Sequence, residues 1–122
     1  MSEAELRASD GATDALRTLV TELDACIGEL EEARRRAESL LTARESGRAW
    51  YDIVGAEERP LIVERISTVL GTLSTAGHRW RREQAAALQG EDVSINRIAA
   101  MFGVTRQRIS ALLRDGDTPL GD

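Results

Sequence analysis

The amino-acid sequence predicts an all-α protein, in which a long N-terminal amphipathic helix (a coiled-coil or bundle arm) is followed by a C-terminal domain of three helices. Three observations support this fold class. Apolar residues recur at steps of three and four from Leu16 to Leu41, and two short capped helical segments flank Gly103. No segment alternates apolar and polar residues in the manner of a half-buried strand.

The composition excludes several classes of protein. The 122 residues suffice for one compact domain and one extension, and 42% apolar with 30% charged residues is typical of a soluble chain. A single cysteine, Cys26, and a single histidine, His78, exclude a disulfide framework and a Cys/His zinc site within one chain. No nucleophile motif surrounds His78, so we expect no enzyme, no catalytic residue, no metal and no cofactor. With no signal peptide and no apolar run of about 20 residues, we expect a cytoplasmic protein without a membrane partner.

The long helix is predicted from about Thr13 to Glu45, because this segment lacks proline and is rich in helix-forming residues. Heptad position d holds Leu16, Leu23 and Leu30, and position a holds the β-branched Val20 and Ile27 and also Leu41, a pattern that favours pairing of two helices. The residues of this predicted dimerisation seam are Leu16, Val20, Leu23, Ile27, Leu30 and Leu41. The g positions are also apolar, which widens the stripe beyond a simple seam: Leu19, Cys26, Ala33 and Leu40. We predict a homodimer of either strand direction; the alternative is a bundle helix that packs only within its own chain.

The middle of the chain is predicted to be helical as well. Residues 46 to 59 form a connector with one short helical turn at its centre. Apolar residues at helical spacing then continue to Leu88, either as one helix over 60–89 or as two helices that break near Gly77. The predicted organisation is a flexible tail over 1–11, a helical dimerisation region over 12–74, the three-helix domain over 75–115 and an acidic tail over 116–122.

The most specific pattern in the sequence is INRIAAMFGVTRQRISALLR, from Ile95 to Arg114. Ser94 and Thr105 are N-cap residues for two short helices, and Gly103 suits the left-handed conformation that ends the first of them. Small Ala99 allows the second helix to cross close above the first. The residues predicted to face inward are Ile98, Ala99, Phe102, Val104, Ile109 and Leu112.

This segment resembles the DNA-binding helix-turn-helix at every position that the motif constrains, with Ala99 at the fifth position and Gly103 at the ninth. The stretch VTRQRISALLR is also similar to sigma-factor region 4 and to resolvase-type domains. The resemblance covers the 20 residues of the motif closely, and more of the chain if residues 79 to 88 supply the first helix of a trihelical domain. It implies a small bacterial regulator whose partner is double-stranded DNA. The chain lacks everything else that defines a sigma factor or a resolvase, so neither activity is implied.

In motifs of this type the N-terminal part of the second helix enters the major groove. Helical spacing places four side chains on its outward face, and these are the predicted base-reading residues: Arg106, Gln107, Ser110 and Ala111. Arg106 can donate two hydrogen bonds to guanine, Gln107 can pair with adenine, and Ala111 can contact a thymine methyl group. The residues predicted to contact phosphate are Arg79, Arg81, Arg82, Arg97, Thr105, Arg108 and Arg114.

The charge distribution agrees with a local phosphate-binding surface. The whole chain carries a net charge of −5, but residues 79 to 114 hold 7 arginines against 3 acidic residues, a net of +4. We therefore predict a sequence-specific DNA-binding transcriptional regulator on the nucleoid that acts as a homodimer, with residues 105–114 as its recognition helix. Two alternatives are a nucleoid-associated or segregation-type protein that bridges DNA, and a helical interaction module whose acidic arm binds a protein such as a sigma factor or the polymerase.

Overall fold

A computed structural model of the protein describes residues 10–117, and these residues form five α-helices and no strand. In chain order the helices are α1 (Gly11–Glu45), α2 (Trp50–Ala56), α3 (Ile62–Gly90), α4 (Ile95–Phe102) and α5 (Arg106–Asp117). The all-α prediction is confirmed. The predicted tail over 1–11 lies outside the described residues except at its end, where Gly11 already belongs to α1.

Helix α1 begins two residues before the predicted start at Thr13 because Asp10 caps it. The Oδ1 atom of Asp10 accepts a hydrogen bond from the backbone N–H of Thr13 at 2.6 Å, which satisfies one of the free donors of the first turn. This backbone bond, together with a bond from the Thr13 side chain, lowers the pKa of the Asp10 carboxyl. The helix then continues without interruption to the predicted end at Glu45.

Helix α3 is a single helix from Ile62 to Gly90, which decides between the two alternatives for this segment. Gly77 lies within it and does not break it. The helix starts after Leu61 because two carboxylates accept from the first free backbone donors. Glu57 Oε1 accepts from the N–H of Ile62 at 2.9 Å, and Glu64 Oε1 accepts from the N–H of Leu61 at 3.3 Å.

The chain divides into two compact units, of which one is Thr21–Ser74. In this unit α1 and α3 are antiparallel, since Cys26 contacts Val69 and Glu29 contacts Arg65. The thiol Sγ of Cys26 lies 4.0 Å from the carbonyl oxygen of Val69, and Arg65 Nη1 lies 2.7 Å from Glu29 Oε2. The buried residues of the unit include Cys26, Ala33, Ile53 and Val69.

The other unit comprises the described residues of Met1–Val20 and Thr75–Asp122. Residues 12–20, which the sequence analysis assigns to the dimerisation region, therefore group with the C-terminal helices. The core of this unit joins the end of α3 to α4 and α5. Its buried members are Ala85, Ile98, Ala99, Ile109 and Leu112, and Leu88, Val93, Ile95, Phe102 and Leu113 pack against them.

Most of the predicted inward-facing residues of the motif lie in this core, but Val104 does not. Ile98 and Ile109 are fully buried, and Phe102 is half-buried against the cluster. Val104 is 40% exposed, so the prediction that it faces inward is wrong. Its backbone N–H donates to the carbonyl of Ala99 at 3.0 Å, which closes the turn and leaves the side chain at the rim. Helix α5 also continues to Asp117, two residues into the segment predicted as an acidic tail.

Candidate nucleic-acid interface

Two capped helices and a tight turn form the candidate site. The hydroxyl of Ser94 accepts from the N–H of Arg97 at 3.1 Å, and that of Thr105 accepts from the N–H of Arg108 at 3.2 Å. Gly103 has φ 68° and ψ 33°, a left-handed conformation in which glycine avoids the steric cost of a Cβ atom. The two predicted caps and the predicted glycine turn are confirmed. Only residues 103–105 separate the end of α4 from the start of α5, so this short turn fixes the position of the first turn of α5 relative to α4.

Close packing of α4 on α5 depends on small and branched side chains in the core. Ala99 on α4 is 6% exposed, and Ile109 and Leu112 on α5 are buried in the same cluster. A larger residue at position 99 would separate the helices. This packing leaves the start of α5 exposed to solvent, including Arg106 and Gln107 of the predicted base-reading residues.

The four predicted base-reading residues differ in exposure. Arg106 and Gln107, the first two residues of α5, are exposed, whereas Ser110 and Ala111 are half-buried. Ala111 lines a surface cavity of about 430 Å³ together with His78, Arg81 and Phe102. The side chain of Arg106 has a defined partner, because its Nη1 donates to Oδ1 of Asn96 on α4 at 3.1 Å.

Four of the predicted phosphate-contacting residues lie exposed on α4, the turn and α5: Arg97, Thr105, Arg108 and Arg114. Among the described residues, no carboxylate oxygen lies within 4 Å of a guanidinium nitrogen of Arg97 or Arg108. Their charge is therefore not neutralised by these residues. A cation in this state is available to a phosphate oxygen.

The three arginines of α3 that are predicted to contact phosphate lie in different environments. Arg81 is exposed, and its guanidinium carbon lies 4.3 Å from the centroid of the Phe102 ring. Arg79 is half-buried and donates from Nη1 to the hydroxyl of Thr18 on α1 at 3.1 Å. Arg82 is half-buried, and its Nε–H has no acceptor among the described residues. Of the three, Arg81 is placed best for an external ligand.

The six residues of the predicted dimerisation seam are all at least 41% exposed. The g positions behave differently, since Cys26 and Ala33 are buried and Leu19 and Leu40 are half-buried. Helix α1 therefore packs within its own chain through its g positions, as the intramolecular alternative requires, while its a and d positions remain uncovered. The wide apolar stripe in the sequence consists of these two adjacent faces.

Sequence reasoning missed two features of the molecule. Asn96 was not singled out, and its contact to Arg106 joins residues of two different helices, which periodicity does not reveal. Val63 and Leu70 of α3 are exposed apolar residues like those of the α1 seam. Their separation of seven residues is a heptad step and is the signal that points to a common face.

Residues 10–117 contain neither a metal-binding cluster of side chains nor a helix that could cross a bilayer. No group of three or more His, Cys, Asp or Glu side chains is arranged to hold a metal ion in residues 10–117. None of the helices in that range combines the length and apolarity that a bilayer span requires. Comparison with family models, with curated proteins and with solved structures gave no match to this chain.

Proposed function

We propose that the chain is a sequence-specific DNA-binding transcriptional regulator that acts as a homodimer and inserts α5 into the major groove of double-stranded DNA. One observation carries the proposal. The capped pair α4–α5, with Gly103 in the left-handed conformation, presents Arg106 and Gln107 exposed at the start of α5. Both residues lie within the segment 79 to 114, which carries a net charge of +4 in a chain of net charge −5.

The first turn of α5 is the reading element of the proposal. An arginine can donate two hydrogen bonds to O6 and N7 of guanine, and a glutamine can pair with N6 and N7 of adenine. Arg106 and Gln107 are neighbours at the helix start and are the most exposed of the four predicted base readers. Ser110 and Ala111 are short, so they allow the helix to approach the base edges closely.

Phosphate contacts orient the helix in the groove. We assign them to Arg97, Thr105, Arg108 and Arg114, with Arg81 at the edge of the footprint. The first free backbone N–H groups of α5 add a partial positive charge at the same end. Arg79 is assigned a structural role instead, because its guanidinium donates to Thr18 within the protein.

Two arguments support a homodimer. A single module supplies little affinity for DNA, and the apolar seam residues of α1 are uncovered within one chain. A single small DNA-binding module buries roughly 600–1,000 Å², and two linked modules bind one duplex far more tightly through effective concentration. The exposed a and d residues of α1 are aliphatic side chains at heptad spacing, the pattern by which helices pair. A two-fold symmetric dimer binds inverted half-sites about one helical turn apart.

Affinity selection of fragmented genomic DNA on the purified protein at physiological salt, followed by sequencing, tests the proposal. We expect enrichment of a few sites that share an inverted repeat. Arg106→Ala is expected to weaken the enrichment and to remove the preference for one base of each half-site, whereas Arg48→Ala removes an equal charge outside the proposed interface residues and is the matched control. Even recovery across the genome, insensitive to Arg106→Ala, would instead identify a DNA-coating or bridging protein. Recovery of no DNA would leave a protein partner of the acidic arm as the remaining alternative.

A further inference from the structure

A single hydrogen bond connects the N-terminal ends of α4 and α5 on their exposed side. Asn96, the second residue of α4, accepts through Oδ1 from Nη1 of Arg106, the first residue of α5, at 3.1 Å. Both side chains are exposed, so burial does not force them together. The contact joins the residue with the strongest base-reading potential to a neighbour on the other helix.

Asn96 has no role in the capping of α4. The hydroxyl of Ser94 already accepts from the N–H of Arg97, as an N-cap residue does. Asn96 lies in the first turn of α4, and its side chain makes no hydrogen bond to the backbone of the described residues. Its side chain is instead directed across the turn to Arg106, so the role of Asn96 is this contact and not the formation of α4.

The chemistry of the pair leaves the guanidinium able to bind a base. Arginine has five N–H donors in a planar group, and the bond to Asn96 uses one of them. The remaining donors on the other edge are sufficient for the two parallel bonds to guanine. Because the amide oxygen of Asn96 is the acceptor, its NH₂ group faces away from the guanidinium.

We propose that Asn96 is a positioning residue that orients the Arg106 guanidinium and thereby sets its preference for guanine, an inference that rests on the proposed DNA-binding function. A long exposed arginine otherwise samples many rotamers, and ordering it on binding costs entropy. The bond to Asn96 removes part of that cost before DNA arrives. Asn96 therefore acts on base discrimination through Arg106, and not on general affinity for DNA.

A double-mutant cycle of Asn96→Ala and Arg106→Ala tests this. Dissociation constants are measured on the selected operator, on operators altered at the base whose preference Arg106→Ala abolishes, and on scrambled DNA, at low salt so that weak binding remains measurable. We expect Asn96→Ala to reduce discrimination at that base by about 3- to 10-fold, the effect of one hydrogen bond. We expect it to leave binding to scrambled DNA unchanged. In the Arg106→Ala background, Asn96→Ala is expected to have no further effect.

Other results would overturn the inference in recognisable ways. Additive losses in the cycle, or an equal loss on operator and scrambled DNA, would make Asn96 an independent phosphate contact. An Arg106→Ala variant that binds specifically with unchanged base preference would show that Arg106 reads no base. Failure of the wild-type protein to discriminate operator from scrambled DNA would refute the proposed function itself, which is a separate outcome. Far-UV circular dichroism and the melting temperature check that each variant is folded, and ¹⁵N relaxation of the Arg106 guanidinium in the free protein should show faster motion in Asn96→Ala.

Discussion

The thiol of Cys26 on α1 lies 4.0 Å from the backbone carbonyl of Val69 on α3, and the residue that follows each of them is an exposed aliphatic residue. Ile27 is 53% exposed and Leu70 is 61% exposed. In two antiparallel helices, a step of one residue beyond the facing position turns both side chains to the same side of the pair, since each helix rotates by about 100° per residue. Ile27 and Leu70 thus share one face of the unit Thr21–Ser74.

That shared face changes what we expect of the dimer interface. The heptad pattern predicts a seam of α1 alone, but α3 contributes the exposed residues Leu70 and Val63 beside it. An interface formed by two helices of each copy buries more apolar surface than a two-stranded coiled coil of the same length. The charge of Arg34, which occupies an a position of the seam, should also destabilise a two-helix interface less than a seam of α1 alone. Its Nε lies 3.6 Å from Glu38 Oε1.

We expect Ile27→Asp together with Leu30→Asp to convert the proposed dimer to monomers, because the change would place four carboxylates of two copies in one apolar interface. Leu70→Asp alone should also weaken the dimer, which distinguishes a two-helix face from a seam of α1. Thr21→Asp introduces the same charge at an exposed position on the other side of α1 and is the control. Sedimentation equilibrium measures the outcome. A wild-type monomer, or a dimer that survives both substitutions, would place self-association elsewhere or remove it.

A second prediction compares the same added methyl group at two glycines. An alanine Cβ meets no atom within 4 Å at Gly103 or at Gly28, so backbone conformation alone separates the two sites. Gly103 has φ 68°, where a side chain costs roughly 1–2 kcal/mol, so Gly103→Ala should lower the free energy of unfolding by about that amount. Gly28 is a helical residue of α1, and Gly28→Ala should raise the free energy of unfolding by about 0.5–1 kcal/mol. Urea unfolding at constant protein concentration measures both. Equal effects of the same sign would mean that the turn does not require a positive φ.

A third prediction concerns the cap of α1 and its dependence on pH. The bonds from Thr13 lower the pKa of Asp10 in the folded chain below its value in the unfolded chain. A carboxylate of this kind stabilises the fold above the unfolded pKa, and the contribution is lost as the pH falls through the folded pKa. Asp10→Ala should therefore lower the melting temperature at pH 7. Its effect should be smaller at about pH 3, which is below the ordinary pKa of an aspartate side chain.

Asp10→Asn and Asp24→Asn separate the charge of Asp10 from its capping bond. Asparagine caps nearly as well as aspartate, so Asp10→Asn should retain most of the stability at pH 7. Asp24 is exposed in the middle of α1, so Asp24→Asn removes a charge without removing a cap. If Asp10→Ala has the same effect at both pH values, the charged form of Asp10 makes no special contribution to the cap.

Some features of this molecule follow from local physics, and the sequence predicted those. The caps Ser94 and Thr105 and the turn glycine Gly103 depend on the hydrogen-bonding and steric properties of single residues, so their types and spacing were sufficient. The buried residues Ile98 and Ile109 follow from helical periodicity in the same way.

Other features depend on packing between segments that are distant in sequence. Gly77 was a possible break of α3, but one glycine costs only about 1 kcal/mol in a helix, and packing overrides it. The bond of Arg79 to Thr18 joins residues 61 positions apart, and the contact between Asn96 and Arg106 joins two helices. Periodicity assigns a residue to a face of its own helix. It does not identify which neighbour covers that face.

The last prediction separates arginines that contact DNA from those that hold the protein together. Each phosphate contact adds about 0.9 to the slope of log affinity against log salt concentration, because bound cations release counterions from DNA. Arg97 is exposed and unpaired by the carboxylates of the described residues, so Arg97→Gln should lower the magnitude of this slope by about 0.9 per half-site. Arg79→Gln should leave the slope unchanged and lower the melting temperature, because it removes the internal bond to Thr18. Titrations of labelled operator at several salt concentrations give the slopes. If Arg79→Gln also lowers the slope, its guanidinium leaves Thr18 on binding and contacts phosphate as the sequence analysis predicts; if Arg97→Gln changes nothing, the footprint lies away from the start of α4.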